Sequence, residues 1–189
     1  MVFPTGYAQI DTHDVPSSAL AALIQVVAGS DYPPPRAQVA AARAPLRPAT
    51  LAGVRIIAGR SGAAWLLLRE EAAIGPPVPA QPGAVWDRRF RLPQTGAAWP
   101  LGCYVSHLGR DAARFRRNSN LPSAILRTLP AIRDAGSDTN PQDTLAAVPH
   151  LRYARSSTAA GAWLQFCPAR PSACAPWSET FEAWGCALT

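Results

Sequence analysis

Leu20, Leu23, Ile24 and Val27 recur at i, i+3, i+4 and i+7 along "VPSSALAALIQVVAGS", the spacing that lines up one apolar stripe on a helix. Pro16 suits a first turn and Gly29 a stop, so the residues between them are predicted to be helical. "DYPPPR" interrupts the chain. A second, shorter helix is predicted through "PRAQVAAAR", ending before Pro45, because proline disfavours helical backbone in the residue ahead of it. Arg36 and Arg43 share one face there, as residues of a solvated helix side do.

The period then shortens to two. Val54 to Ile57 and Trp65 to Leu68 are β-rich runs flanking "GRSGA", which predicts a hairpin with its turn at the glycines. "IGPPVPAQPG" follows, a proline-rich spacer and an internal boundary. Residues 82–93, "PGAVWDRRFRLP", then read as a strand. Alternation puts Trp86, Arg88, Phe90 and Leu92 on one face and Val85, Asp87, Arg89 and Arg91 on the other. In that register Arg88 lies on an apolar face. A buried unpaired charge costs several kcal/mol, so Arg88 must snorkel, find a carboxylate or loosen the strand.

"PLGCYVSH" is strand-like, and "LGRDAARFRRN" changes period again. At 100° per residue Arg110, Arg114 and Arg117 converge on one helix face, with Leu108, Ala112 and Phe115 opposite. A short helix and two strand-like segments are predicted in "LPSAILRTLPAIRD" and "TLAAVPHLRYA", around the polar loop "AGSDTNPQD". "GAWLQFC" adds a further strand, and the remainder is broken by prolines. Helices and strands are segregated and the strands pair as hairpins, so the expected class is α+β. Four units are expected: a helical segment (1–48), a β-hairpin (49–76), a small mixed helix and strand domain (77–168) and an irregular tail (169–189).

A chain of 189 residues, 48% hydrophobic and 16% charged, can bury one sizeable core or two small packed lobes. The net charge of +6 points to an anionic partner. All 18 basic residues are arginine, which excludes a P-loop lysine, a Schiff-base lysine and a lysine general base. Arginine retains a planar fork that pairs phosphates and stacks on bases. Nothing resembles a signal peptide, and no run approaches the ~20 apolar residues of a membrane helix. A cytoplasmic protein with reduced thiols and no membrane partner is expected.

Candidate chemistry is sparse. Cys103 and His107 form C-x-x-x-H, but "CYVSH" favours a strand, where positions four apart are separated by ~13 Å. One zinc cannot hold both, so no metal site is expected. Cys167 and Cys174 bracket "PARPSA", yet the expected compartment opposes a disulfide. A nucleophile built from Cys103 with His107 or His150 would have to be assembled by the fold. The sequence holds no phosphate-binding glycine motif and no nucleophile elbow, and no catalytic residue is assigned.

The order "YPPPR", "TLAGVRIIAGRSGAAWLLLRE", "PGAVWDRRFRL", "LPSAILRTLPAIRD", "LAAVPHLRY" resembles the C-terminal half of the bacterial tRNA(Ile)-lysidine synthetases, alphaproteobacterial members especially. The resemblance runs over residues 1–155. Members of that family use ATP and magnesium to activate a wobble cytidine, which free lysine then attacks. That chemistry belongs to an N-terminal PP-loop domain carrying S-G-G-x-D-S, a motif this sequence lacks. The resemblance therefore implies tRNA as partner, no cofactor in this chain, and, for a split gene, a separately encoded PP-loop domain. The family's usual W-D-G-R-F carries glycine where Arg88 stands here.

Arg89, Arg91, Arg110, Arg114 and Arg117 are the expected RNA-contacting residues, through phosphates rather than bases. Two alternatives remain at this point: a vestigial fragment without retained binding, suggested by Arg88 and the tail, and a stand-alone cysteine or histidine enzyme.

Overall fold

Helix α1 (Ser17–Ala28) buries Leu20, Leu23, Ile24 and Val27, the stripe that predicts it. It ends at Gly29, whose φ of 64° is left-handed. There the Gly29 N–H donates to the Val26 carbonyl and the Ser30 N–H to the Gln25 carbonyl, satisfying two carbonyls that the helix leaves open. Helix α2 (Arg36–Arg43) buries Val39 and Ala42. The computed structural model describes residues 1–11, 14–43, 45–59, 64–94, 99–117, 119–135, 144–148 and 165–167. The expected tail, 169–189, lies outside the described residues.

The fold is α+β, with helices packed on antiparallel sheets. The hairpin expected after α2 is present as β3 (Val54–Ala58) and β4 (Trp65–Arg69). Strand β2 (Ala49–Leu51) joins β3 through Ala52 and Gly53, both at positive φ, the geometry of a tight two-residue turn. Strand β1 (Ala8–Ile10) pairs with β4, giving the order β1-β4-β3-β2. Residues before 49 and the hairpin therefore share one sheet.

Strand β4 is buried on both faces, which is why "WLLL" is continuously apolar. Trp65 and Leu67 join the core under α1 and α2. Leu66 and Leu68 join a second core with Tyr7, Leu108, Ile125, Leu126 and Leu129. Helix α3 (Ser123–Thr128) packs on that side of β4 and also against a 3-10 helix, Gly109–Phe115.

The second sheet has the order β10-β9-β8-β5. It comprises β5 (Val78–Pro79), β8 (Cys103–His107), β9 (Pro130–Asp134) and β10 (Thr144–Ala147). The proline-rich stretch is thus more than a spacer, since it supplies the outer strand β5. Proline is tolerated there because an edge strand leaves one row of backbone groups unpaired. A third sheet, β11-β7-β6, is formed by β6 (Val85–Trp86), β7 (Phe90–Arg91) and β11 (Gln165–Phe166). Trp86, Phe90 and Leu92 close the core between these sheets with Cys103, Val105 and Ile132.

The expected single strand at 82–93 is instead a hairpin. Val85 pairs with Arg91 and Trp86 with Phe90. Asp87 and Arg88 have φ of 49° and 56°, and the Arg89 N–H donates to the Trp86 carbonyl at 3.1 Å. Positive φ at both central residues is the signature of the turn that Asp-Gly usually makes. Arg88 is consequently exposed and ion-paired with Asp31. It does not lie on the apolar face.

Among the described residues, no helix is long and apolar enough to cross a membrane.

Candidate nucleic-acid interface

Strand β8 delivers the chain to the 3-10 helix through Leu108 and Gly109, the latter at φ 55°. The Leu108 carbonyl accepts the Asp111 N–H at 3.2 Å, an i to i+3 bond that starts a three-residue turn. It also accepts Arg133 Nη2 at 3.1 Å. Arg133, from β9, gathers the whole junction. Its Nε donates to Ser106 Oγ at 2.9 Å, its Nη2 reaches the His107 carbonyl at 3.3 Å, and its Nη1 lies 2.8 Å from Asp111 Oδ2. The segment is thus 3-10 where the sequence predicts an α-helix.

The tighter winding rearranges the basic stripe. At about three residues per turn, position 110 aligns with 116, while 114 and 117 stand together on the next column. Arg110, Arg114, Arg116 and Arg117 are all exposed, and Ala112 is buried beneath them. Arg114 stands 4.0 Å from Asp111. Arg110, Arg116 and Arg117 form no ion pair among the described residues. An α-helical period rotates Arg116 away from Arg110, whereas a three-residue period brings the two into line.

Arg91 is exposed on β7, as strand alternation predicts. Arg89 is the correction. Only 1% of it is accessible, because the turn at Asp87 and Arg88 resets the alternation and aims its side chain inward. Its Nε donates to Asp87 Oδ2 at 2.8 Å and its Nη1 to the Gly6 carbonyl at 3.0 Å. Nη2 sits 2.7 Å from the same Asp87 oxygen without donating a hydrogen bond. Burial lowers the Arg89 guanidinium to about 10, so it stays charged at neutral pH. Asp87 also holds Arg69, 3.1 Å away, and accepts the Gly75 N–H at 2.9 Å. Arg89 is a buried tie between segments, and its guanidinium is closed off from a phosphate.

A second charged group adjoins the 3-10 helix. Glu71 follows β4 and is held by the Arg127 fork of α3, with Nε and Nη2 each 2.7 Å from a carboxylate oxygen. His107 Nε2 lies 3.8 Å from Glu71 Oε1. The Arg127 hydrogen bond holds the Glu71 carboxyl below its usual value against a smaller opposing effect of burial. Burial lowers the His107 imidazole, with Glu71 opposing. Arg55, exposed on β3, adds to the positive field on Glu71. The sequence carries no signal for this group, because its members come from four separated segments.

Cys103 is buried in β8, and burial raises its thiol, so it is a packing residue rather than a poised nucleophile. Of the remaining candidates, His150 and Cys174 lie outside the described residues. Among the described residues, no three His, Cys, Asp or Glu side chains gather as a metal would need.

No family model, curated protein or solved structure gives a match to this chain.

Proposed function

We propose that the chain is an RNA-binding module of the kind that holds tRNA in the lysidine synthetases it resembles, with the nucleotide chemistry left to a PP-loop domain. The observation that carries this reading is the arrangement of Arg110, Arg114, Arg116 and Arg117. They are four exposed guanidinium groups on one short helix and the turn after it, three of them without an ion pair among the described residues. Several arginines elsewhere in the fold are held inside it: Arg69, Arg89 and Arg133 are each largely buried against a carboxylate. Arg55 and Arg91 are also exposed, each on its own strand, whereas these four stand together in one short segment and present a place for phosphates. Such contacts fix register on a nucleic acid without reading its bases.

The vestigial reading loses one of its supports, because Arg88 is exposed and paired instead of misplaced in a core. Filter binding of tRNA(Ile) transcript over a range of salt concentrations tests the proposal. Affinity should fall with a log–log slope of about −2 to −4, as three or four phosphate contacts give. Absence of salt-dependent binding would remove the reading.

A further inference from the structure

Glu71 is a carboxylate set among three cationic or donor groups from three different elements. Arg127 grips both of its oxygens at 2.7 Å, His107 Nε2 stands 3.8 Å away, and Arg55 projects from the exposed side of β3. The group is not sealed: the side chains of Glu71, Arg127 and His107 are 36%, 43% and 39% accessible. It also borders the arginine-bearing helix, since α3, which carries Arg127, packs against that helix.

A guanidinium fork accepts a carboxylate and a phosphate with the same two-oxygen geometry. A solvent-open fork with an imidazole beside it and the field of a further arginine acting on it suits a phosphoryl group. Here the chain's own carboxylate fills the place. An exposed ion pair of this kind contributes little to stability, so exchanging the carboxylate for an incoming phosphate costs the fold little.

We propose that the Arg127, His107 and Arg55 group is a phosphate-binding site that Glu71 occupies in the free protein and yields when a phosphoryl ligand arrives. The inference rests on the RNA-binding reading for its natural ligand. It adds a built-in competitor: Glu71 weakens phosphate binding and thereby sets the affinity of the surface. The ligand chemistry is a tetrahedral phosphoryl anion, supplied either by a backbone diester or by a free phosphate.

The test uses the full chain with Glu71→Gln, which keeps an oxygen acceptor for Arg127 and removes the charge. Glu71→Ala serves as the second form should the glutamine variant fold poorly. Glu70→Gln is the charge control, because the Glu70 side chain makes no ion pair among the described residues. One arm measures binding of a 5′-hydroxyl oligoribonucleotide, which offers only diesters; the other measures thermal protection by inorganic phosphate. Glu71→Gln should tighten oligonucleotide binding roughly three- to tenfold beyond Glu70→Gln and steepen the salt slope by about 0.7, one single-strand contact. Adding Arg127→Gln should abolish that gain. A gain confined to inorganic phosphate keeps the site and assigns it to a free phosphate. If Glu71→Gln matches Glu70→Gln in both arms while wild type still binds RNA, this site is overturned and the RNA-binding reading stands. Loss of all oligonucleotide binding, with phosphate protection retained, overturns that reading and leaves the site.

Discussion

Arg89 donates through Nε to Asp87 Oδ2 at 2.8 Å, with both side chains withdrawn from solvent. The pair stands at the tip of the β6–β7 hairpin and ties it to the first sheet. Arg69 of β4 reaches Asp87, and Arg89 reaches the Gly6 carbonyl. Asp87→Ala leaves two arginine side chains, 1% and 12% accessible, without their shared carboxylate. Breaking a buried pair from one side costs about 3–5 kcal/mol. Urea denaturation should show a loss of that order for Asp87→Ala, and a loss under 1 kcal/mol would mean the pair is dispensable.

Gly29 belongs to the same junction. A Cβ there would stand 2.5 Å from Arg89 Cγ and 2.9 Å from the Asp87 carbonyl oxygen, and its φ is 64°. Gly29→Ala is expected to lower the melting midpoint through both the clash and the left-handed backbone, by at least ~1 kcal/mol in stability. Gly102, whose added Cβ meets nothing within 4 Å, isolates the backbone contribution when changed to alanine.

Arg88→Gly should raise the midpoint or leave it unchanged. Glycine relieves the φ of 56° that arginine adopts at the turn, worth roughly 1 kcal/mol. Against that stands the loss of an exposed ion pair with Asp31, worth ~0–1 kcal/mol. Thermal melts of Arg88→Gly beside Asp31→Asn separate the two contributions; a marked fall for Arg88→Gly alone would show that the turn needs arginine.

These cases mark what the sequence could and could not carry. Helix α1 and the β3–β4 hairpin were legible because their apolar periods are long enough to be unambiguous. The β6–β7 turn was hidden because Asp-Arg replaces the Asp-Gly that announces such a turn. Alternation counted straight through it keeps Trp86, Phe90 and Leu92 together, as observed, and misplaces Arg88 and Arg89. Strand β1 has three residues, too few to show a period. The basic stripe was legible as residues but not as geometry. Gly109 opens the 3-10 helix at positive φ and Arg133, some 20 positions downstream, ties down its start, and no local pattern reports that contact.

Arg133 anchors the start of the arginine-bearing helix without standing on its exposed face. Arg133→Met removes its bonds to Ser106, His107 and Leu108 and its ion pair with Asp111. A stability loss of about 2–3 kcal/mol is expected, together with weaker tRNA binding in the folded protein, measured well below the melting point. Unchanged affinity would mean that the helix holds its shape without this anchor.

Acid should weaken the fold in two stages. Burial lowers His107 from its ordinary 6.5, so folding favours the neutral imidazole. Its contribution is complete above 6.5 and declines as pH falls through the lowered folded value. Glu71 is lowered from 4.5 by Arg127, so its contribution persists above 4.5 and is lost on further acidification. In melts between about pH 2 and 8, His107→Gln should flatten the first stage and Glu71→Gln the second. Profiles identical to wild type would remove both groups from the acid response.

The most direct measurement is the salt dependence of tRNA binding for the chain with Arg110, Arg114 and Arg117 all changed to glutamine, compared with wild type. Exposed charges contribute little to stability, so the melting midpoint should hold within a few degrees. The account predicts a slope shallower by about 2–3 and a loss of affinity that grows as salt is lowered. An unchanged slope and affinity would contradict it, and would make this face an ordinary solvated surface.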